Sequence, residues 1–513
     1  MGANPGRYNQ KSLLGADIML NGLPEPGGYI KVCQDIIFPR IKDTDFEDMY
    51  KDGGRPPVSP RLLMCVTILQ FLERLPDRQT IQNLIYRLDW KVALELELEY
   101  PGFSYQLLSV WRQRVVEHDR AKRVFDGIIE ELKDRGLIKK NGKQRIDSTH
   151  VLAEIKELTR VELMTETLRL AVIDLRNMGL NFPNAIDEII STYETGINLY
   201  QLGSKEREKI LKEAGQNMLK LQEYINKKIP SQKRTKNINT LETVFEQNFT
   251  VNESGRETEL IKVSTGKDHI CSPHDTEARY GSKHKNIGYK AQIVETAERD
   301  KTNFIIDVEE EDNEETDHGK LMPAVNRVGE KDLKPKRVYT DQGYVDGDTL
   351  SESSADGIEV YGPIDDGNKA LRDEFNYDEA KDKYICPAGK ISQRKYEDTN
   401  GSTIYQFSFR DCKSCPLKEK CRPKVTKKGK DGRFIRVDAN HEHIEAQREL
   451  MKTESFKEEM KNRNAIEGTI SGMKRGFNFF RCRYRGKKKF RLQLFFTAIA
   501  FNIKRLDLAY NAI

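Results

Sequence analysis

Three carboxylates are the residues of this chain whose setting indicates chemistry. Asp147 and Asp341 each follow a short apolar stretch that is typical of a β-strand, and Glu467 lies in a helical pattern near the end of the sequence. Carboxylate oxygens are the ligands that Mg²⁺ prefers in proteins. Two such ions, about 4 Å apart, stabilise both the attacking and the leaving oxygen of an in-line displacement at phosphorus. We therefore expect Asp147, Asp341 and Glu467 to bind Mg²⁺ (or Mn²⁺), as two ions, and to catalyse phosphoryl transfer.

The segment around Glu467 is predicted to be a helix that continues into a basic stretch. Arg463, Glu467, Ile470 and Lys474 recur at steps of three or four residues, so they share one helical face. No acidic residue occurs between Lys474 and Arg505, where basic and aromatic residues alternate. Such a stretch is typical of nucleic-acid binding, although its aromatic rings could equally be core residues. The predicted DNA contacts are Arg463, Lys474, Arg475, Arg481, Arg483, Arg485, Lys487 and Lys488, with Lys283 and Lys290 as secondary candidates.

Four of the eight cysteines fall in one loop-rich, basic region: Cys386, Cys412, Cys415 and Cys421. A Cys-x-x-Cys pair with two further cysteines is one form of a structural zinc site. The same four thiolates could hold an iron–sulfur cluster, or they could be reduced cysteines without a metal. Under the zinc interpretation, the metal would fold a region too poor in apolar residues to fold alone.

Composition narrows the class of protein without naming a partner. The chain has 513 residues, 33% of them charged, and a formal net charge of +5. The small net charge does not by itself indicate nucleic acid, but the clustering of cations does. No apolar run reaches the length of a membrane helix, and the first residues lack the apolar core of a signal peptide. We therefore expect a cytoplasmic protein, without a membrane partner, in which thiols stay reduced.

The pattern along the chain predicts four regions. Residues 1–135 read as a helical, DNA-binding N-terminal domain, in which Ser59-Pro60 starts one helix and Pro76-Asp77 starts the next. These two helices could form a helix-turn-helix or part of an ordinary bundle. The other regions are the first part of an α/β core at 136–363 with a helical insertion at 155–235, a basic cysteine-containing insertion at 364–440, and the C-terminal part of the core at 441–513.

Without the two insertions, the elements follow a recognisable order. A strand with Asp147, two further strands, a helix, a strand with Asp341, a helix, a fifth strand and a helix with Glu467 succeed one another. This is the order of a ribonuclease-H-like α/β core, whose active site lies at strand ends and adjoining loops. The acidic segment Glu309–Asp317 is predicted to be a solvated turn that ends with Asp317 as the cap of the next helix.

Several motifs together resemble the DDE transposases of bacterial insertion sequences. They are Asp147-Ser-Thr-His150, Ser272-Pro-His-Asp275-Thr-Glu-Ala278, Gly288-Tyr-Lys290, Thr340-Asp-Gln-Gly-Tyr344 and Arg463…Glu467…Lys474, with Gly54-Arg55-Pro56 and Arg485-Gly486-Lys487 at either end. The resemblance covers most of the chain and implies that Asp147, Asp341 and Glu467 are the metal-binding triad. Arg463 and Lys474 match the Arg and Lys of the family's Tyr-Arg-Glu-Lys signature, which contact DNA phosphates. Met460 stands where that signature has Tyr.

The resemblance implies an enzyme that binds the terminal inverted repeats of its own element, cuts the DNA with metal ions and joins the freed 3′ ends to target DNA. Joining needs two ends in one complex, so a homodimer or larger assembly on double-stranded DNA is expected. Such a protein would lie with the bacterial nucleoid. The alternatives are a metal-dependent nuclease without strand transfer and a DNA-binding regulator with an inert core.

Overall fold

The computed structural model describes residues 27–50, 58–251, 258–260, 268–283, 285–364, 375–399, 401–418, 421 and 432–510. The Gly54-Arg55-Pro56 motif and most of the basic run before Arg436 lie outside these ranges. No helix of the described residues is long and apolar enough to cross a bilayer.

The first part of the chain is helical. Its helices are α1 (Gly28–Val32), α2 (Pro60–Glu73), α3 (Asp77–Tyr86), α4 (Leu88–Ala93), α5 (Gln106–Glu117) and α6 (Arg120–Asp134), with a short π-helix at Cys33–Ile37 and short 3₁₀ helices at Phe38–Arg40 and Asp43–Met49. The predicted start of α2 is confirmed, since the Ser59 hydroxyl accepts a hydrogen bond from the Leu62 amide at 3.2 Å and Pro60 occupies the first helical position. The start of α3 at Asp77 is confirmed as well.

A mixed sheet follows the helices. Its strands are β1 (Lys143–Leu152), β4 (Arg279–Gly281), β5 (Asn286–Thr296), β6 (Ile305–Asp312), β7 (Arg337–Tyr339) and β8 (Glu359–Tyr361), while β2 (Phe249–Val251) and β3 (Thr258–Leu260) form a separate hairpin. The hydrogen-bonded path runs β4–β5–β1–β7–β8, and β6 also pairs with β5. Pairs β1–β5 and β5–β6 are antiparallel, whereas β1–β7 and β7–β8 are parallel. The chain is therefore a mixed α/β protein with a helical N-terminal region.

Between β1 and β2 lies a group of four helices: α7 (Arg160–Asn177), α8 (Asn184–Glu194), α9 (Ser204–Lys228) and α10 (Lys236–Asn248). They bury an apolar cluster of their own, with Leu168, Val172, Met218, Leu221 and Val244 among its fully covered members. A helical excursion after the first strand was expected from the sequence, and the helices extend to Asn248.

After β8, helices and strands surround the cysteines. The strands are β9 (Asn376–Asp378), β10 (Lys383–Ile385), β11 (Arg394–Glu397), β12 (Thr403–Gln406) and β13 (Phe434–Val437). The helices, counting two that flank β7, are α11 (Leu321–Gly329), α12 (Gly347–Ala355), α13 (Phe409–Lys413), α14 (His441–Lys452), α15 (Glu454–Phe477) and α16 (Lys487–Tyr510). We call residues 375–437 the cysteine segment.

The last helix joins the helical and sheet regions into one core. Phe496 of α16 stacks on Phe71 of α2 at 5.0 Å between ring centroids, and Phe495 contacts Phe125 of α6 at 5.6 Å. On the sheet side, Asn502 of α16 exchanges hydrogen bonds with the backbone of Ile305 in β6. Burial of this apolar helix therefore stabilises both regions together.

The predicted role of Asp317 as a helix cap is wrong. Strand β6 continues to Asp312, so the first four residues of the predicted solvated turn, Glu309–Asp312, belong to the sheet. The following helix begins at Leu321 with Lys320 at its cap position. Because these acids pair with β5, Glu311 is buried, at 4% exposure. The many acidic residues of this segment had instead predicted that it is exposed to solvent.

Candidate active site

Asp147 and Asp341 lie side by side because of the sheet register. In the parallel pair β1–β7, Arg145 lies opposite Tyr339. Asp147 and Asp341 are each two residues further along, so both emerge where β7 ends. The Asp341 side chain is fixed there by a hydrogen bond that it accepts from the Gly343 amide at 3.0 Å.

Glu467 is linked to Asp147 through one guanidinium. Arg463 donates from Nη2 to Asp147 Oδ2 at 2.9 Å and from Nη1 to Glu467 Oε1 at 2.5 Å. The Arg463 side chain is 16% exposed and that of Glu467 is 63% exposed. The predicted face of α15 is therefore turned toward β1, and the charge of Arg463 is engaged by the two carboxylates. We call Asp147, Asp341, Glu467 and Arg463 the acidic site.

Burial sets the ionisation of Asp147. Desolvation raises the pKa of its carboxyl to about 6, and the negative charges of Asp341 and Asp317 act in the same direction. The Arg463 cation and the Ser148 amide oppose this rise in the pKa without cancelling it. A carboxylate that costs free energy to ionise when buried gains most from a bound cation.

Asp317 is a residue at this site that the sequence analysis missed. Its Oδ1 accepts a hydrogen bond from the Ser148 hydroxyl at 2.8 Å and pairs with Lys290 Nζ at 2.7 Å. It faces Asp341 across Gly343, where an added Cβ would lie 3.3 Å from both Asp317 Cβ and Asp341 Oδ1. Its partners are remote in sequence and are brought together by the pairing of β6 with β5 and of β5 with β1, so no local pattern marked it.

Lys290, a secondary candidate for phosphate binding, is instead a buried structural cation. Its side chain is 2% exposed and pairs with Glu311 at 2.9 Å as well as with Asp317. The prediction for Lys290 as a phosphate contact is therefore wrong, because the lysine has no exposed ammonium to offer a ligand.

The predicted DNA-binding residues differ in accessibility. Arg475, Arg481, Arg485 and Lys488 are exposed. Lys474 is partly buried, which lowers its pKa; Arg483 lies over the Phe71 ring at 5.5 Å, and Lys487 pairs with Asp312 at 3.0 Å. Among the aromatic residues, Phe477, Phe479 and Phe490 are core, whereas Phe480 is 51% exposed.

The Ser272–Ala278 motif anchors the turn that precedes α16. Asp275 accepts hydrogen bonds from the Tyr289 hydroxyl at 2.6 Å and from the Gly486 amide at 3.1 Å. Glu277 accepts one from the Lys487 amide at 3.0 Å. Gly486 has φ +93, and an added Cβ would lie 3.1 Å from Glu277 Oε2, so this turn requires glycine. The motif thus holds the basic Arg485-Gly486-Lys487 turn on β5.

The four clustered cysteines line one small cavity, of about 30 Å³. Burial raises the pKa of the Cys421 thiol, Arg433 lowers it, and charge on Cys412, Cys415 and Cys386 raises it further. Cys386 sits in a knuckle in which its Sγ accepts from the Lys390 amide at 3.4 Å. Across the described ranges, however, no three His, Cys, Asp or Glu side chains are arranged to hold a metal ion, either here or at the acidic site.

Family models match two parts of the chain, one near each end. Residues 385–507 match the family model described as a transposase DDE domain, and residues 31–114 match one described as a transposase domain. No curated protein and no solved structure matches the chain. The first match contains Glu467 and the four clustered cysteines, and the second contains helices α2 to α4. Together the two matches indicate a transposase of the DDE family.

Proposed function

We propose that this chain is the transposase of a bacterial insertion sequence, of the Tyr-Arg-Glu-Lys class, with a ribonuclease-H-like core. Two observations support the core: the antiparallel set β6–β5–β1 continues into the parallel set β1–β7–β8, and acids follow the central strands. The observation that carries the proposal is the Arg463 guanidinium, which bonds both Asp147 and Glu467 beside Asp341. Met460 at the Tyr position of the signature packs with Tyr339, Tyr361 and Phe456.

The proposed reaction has two steps at phosphorus. Water attacks a phosphodiester at the end of the element, the bond from phosphorus to the 3′ oxygen breaks, and a 3′ hydroxyl is freed. That hydroxyl oxygen then attacks a target phosphodiester and displaces its 3′ oxygen. Asp147, Asp341 and Glu467 would hold two Mg²⁺ (or Mn²⁺) ions, which would activate the nucleophile and stabilise the leaving oxygen. The hard oxygen donors of these three residues fit such ions.

The DNA partners follow from the same chemistry. Terminal inverted repeats and target duplex would lie along the exposed cations Arg475, Arg481, Arg485 and Lys488, with Lys474, Arg483 and Lys487 as further contacts and Arg463 at the acids themselves. Phosphate neutralisation by such a surface supplies most sequence-independent affinity. Joining two ends requires a homodimer or larger complex on DNA. A DNA substrate places the protein in the cytoplasm, at the nucleoid.

A nuclease without strand transfer would use the same triad, and precut ends distinguish the two. If the purified protein joins a precut repeat end to a target duplex, the result supports the transposase function. If it only hydrolyses DNA, the result supports the nuclease function. An inert DNA-binding regulator would bind the repeat and cut nothing.

The deciding experiment is cleavage of a labelled duplex that carries the terminal repeat, in Mg²⁺ and in EDTA. We expect wild type to cut at the repeat end only with metal, and Glu467→Gln to cut about 100- to 1000-fold more slowly, on the order of the loss when a transition-state charge contact is removed. Glu458→Gln is the matched control, because Glu458 is exposed on the same helix and pairs with Lys461 instead. Equal cleavage by wild type and Glu467→Gln would refute the assignment of Glu467.

For the cysteine segment we propose one structural Zn²⁺ held by Cys386, Cys412, Cys415 and Cys421. Four soft thiols around one cavity are the donor set of a structural zinc site. Elemental analysis of protein purified without added metal should find one zinc per chain. Iron and sulfide in that sample would identify an iron–sulfur cluster, and the absence of both would leave the thiols reduced.

A further inference from the structure

Among the described residues, Glu295 on β5 is the most deeply buried carboxylate that the proposed reaction does not use. It is fully buried, at 0% exposure. Burying a carboxylate in its charged form is costly unless it is paired and hydrogen-bonded. Its partners therefore explain why the fold keeps an acid at this position.

Glu295 collects donors from three other elements. Arg145 of β1, directly opposite in the antiparallel register, donates from Nε at 2.5 Å. Arg505 of α16 donates from Nη1 at 2.6 Å, and the Thr469 hydroxyl of α15 lies 2.8 Å from each carboxylate oxygen. Arg505 also donates from Nη2 to Thr469 Oγ1 at 2.6 Å. One carboxylate thus joins β1, β5, α15 and α16.

Two of the partners, Arg145 and Thr469, lie within two residues of an acidic-site residue along the chain. Arg145 precedes Asp147 by two positions on β1, so both side chains emerge on the same face of the strand. Arg145 also donates from Nη1 to the Asn462 carbonyl at 3.0 Å, one residue before Arg463. Thr469 follows Glu467 by two positions. The network therefore contacts α15 on both sides of the turn that carries Arg463 and Glu467.

A second clamp holds the same helix about two turns earlier. Glu459 pairs with Lys143 Nζ at 3.1 Å and with Arg337 Nη1 at 3.0 Å, and accepts from the Tyr339 hydroxyl. Glu459 fixes the first half of α15 on β1 and β7. The Glu295 network ties the half bearing Glu467 to β1, β5 and α16 through polar contacts, beside the apolar packing of Ile466, Met473 and Phe477.

We propose that Glu295, Arg145, Arg505 and Thr469 are positioning residues that set the rotation and height of the Glu467 turn against Asp147. The proposal rests on the function proposed above. None of the four touches substrate; they act by holding Glu467 and Arg463 where the carboxylates converge. Small displacements of such groups can lower a reaction rate by a large factor. A buried network that holds them in place would therefore maintain the rate of cleavage.

Thr469→Val tests the proposal with little change of volume. Valine keeps the shape of threonine but lacks the hydroxyl, so Glu295 and Arg505 each lose one partner. We expect the Mg²⁺ concentration for half-maximal cleavage to rise about tenfold, and amide exchange at 463–469 to accelerate about tenfold in metal-free protein. Thr469→Ser, which retains the hydroxyl, should restore both. Thr497→Val is the matched control, because Thr497 is equally buried on α16 and bonds only its own helix at Gln493.

Exchange and cleavage separate the two proposals. If wild type shows no metal-dependent cleavage, the proposed function fails, while exchange at 463–469 still decides whether Thr469 holds this turn. If wild type cleaves and Thr469→Val matches it in Mg²⁺ dependence, the positioning role is overturned. Exchange that rises equally in Thr497→Val, or that Thr469→Ser does not restore, would overturn it too. Duplex binding should be the same in all four proteins.

Discussion

The acidic site and the cysteine segment both gather side chains that we propose as metal ligands, but they are held in opposite ways. The acidic site lies on a sheet whose strands are buried, and ionic clamps such as Glu295 and Glu459 fix its helix. Among the described residues of the cysteine segment, the buried apolar cluster is only Phe375, Tyr405, Phe407 and Ile435. The difference teaches that a packed fold can position a site by itself, whereas a segment with so small a core is expected to need a ligand, here the proposed zinc, in order to fold.

The largest expected effect is a loss of structure in the cysteine segment when one of its thiols is removed. Cys415→Ser should accelerate amide exchange in β10 and β12 a thousandfold or more, because the segment loses a ligand of the proposed zinc and its small core cannot compensate. Exchange in β1 and β5 should stay at the wild-type rate. Mass-spectrometric exchange measures both at once.

Cys271→Ser is the matched control for this change, since Cys271 is a free, partly buried thiol outside the segment. Wild-type protection of β10 and β12 in Cys415→Ser would mean that the segment folds without its thiols, and the contrast between the two regions would fall.

The next largest effect is a gain in the free energy of unfolding when Asp147 of the acidic site is replaced by asparagine. Below pH 3.8 Asp147 is protonated in both states and contributes nothing. Between 3.8 and about 6 the unfolded chain loses this proton and the folded one keeps it, so stability falls as pH rises. Above pH 6 ionised Asp147 lowers the free energy of unfolding by a constant amount of about 3 kcal/mol. Asp147→Asn has no charge at this position, so the metal-free variant should be more stable than wild type by that amount. Urea unfolding at pH 7.5 and pH 3.5 measures the difference.

The two pH values provide an internal control for Asp147→Asn. We expect the variant to be more stable than wild type at pH 7.5 and equal to it at pH 3.5. If the variant is less stable than wild type at pH 7.5, the ion pair between Asp147 and Arg463 stabilises the fold by more than burial of the charged carboxylate destabilises it. The charged form of Asp147 would then not lower the stability of the metal-free protein.

Asp317→Asn should have a smaller effect, on metal affinity. Asparagine keeps the shape but removes the charge that faces Asp341 and pairs with Lys290. We expect the Mg²⁺ concentration for half-maximal cleavage to rise about tenfold, which corresponds to about 1.4 kcal/mol. Asp356→Asn, which changes an acid paired with Lys334 away from the site, should leave it unchanged. Wild-type Mg²⁺ dependence in Asp317→Asn would exclude this residue from the site.

The smallest effect concerns the basic surface. Lys488→Ala should reduce the slope of log affinity against log salt by about 1 and weaken duplex binding a few-fold at low salt, because one phosphate contact is lost. Binding measured from low to high salt gives the slope. Lys209→Ala, an exposed lysine of α9, is the control. An unchanged slope would place the DNA on another face.

Particular residues show how far sequence reasoning reached. The α2 and α3 starts, the Glu467 helix and the Asp147 and Asp341 strands follow from capping residues and periodicity, which are local properties. Asp317 and Lys290 could not be assigned in that way. Asp317 was predicted to cap a helix, but it bonds Ser148, which is remote in sequence. Lys290 was predicted to contact phosphate, but it pairs with Glu311 on the neighbouring strand.

The sequence by itself determined which residues we propose for the chemistry: three carboxylates, a cationic tail and four grouped cysteines, each in a segment with its own local signal. The tertiary structure decided their relations. It placed Asp147 beside Asp341 through the β1–β7 register, brought Glu467 to Asp147 through Arg463, and buried Glu295 among donors from three other elements. Local patterns arise from neighbouring residues, whereas these pairings join residues up to 316 positions apart and exist only once the core has packed.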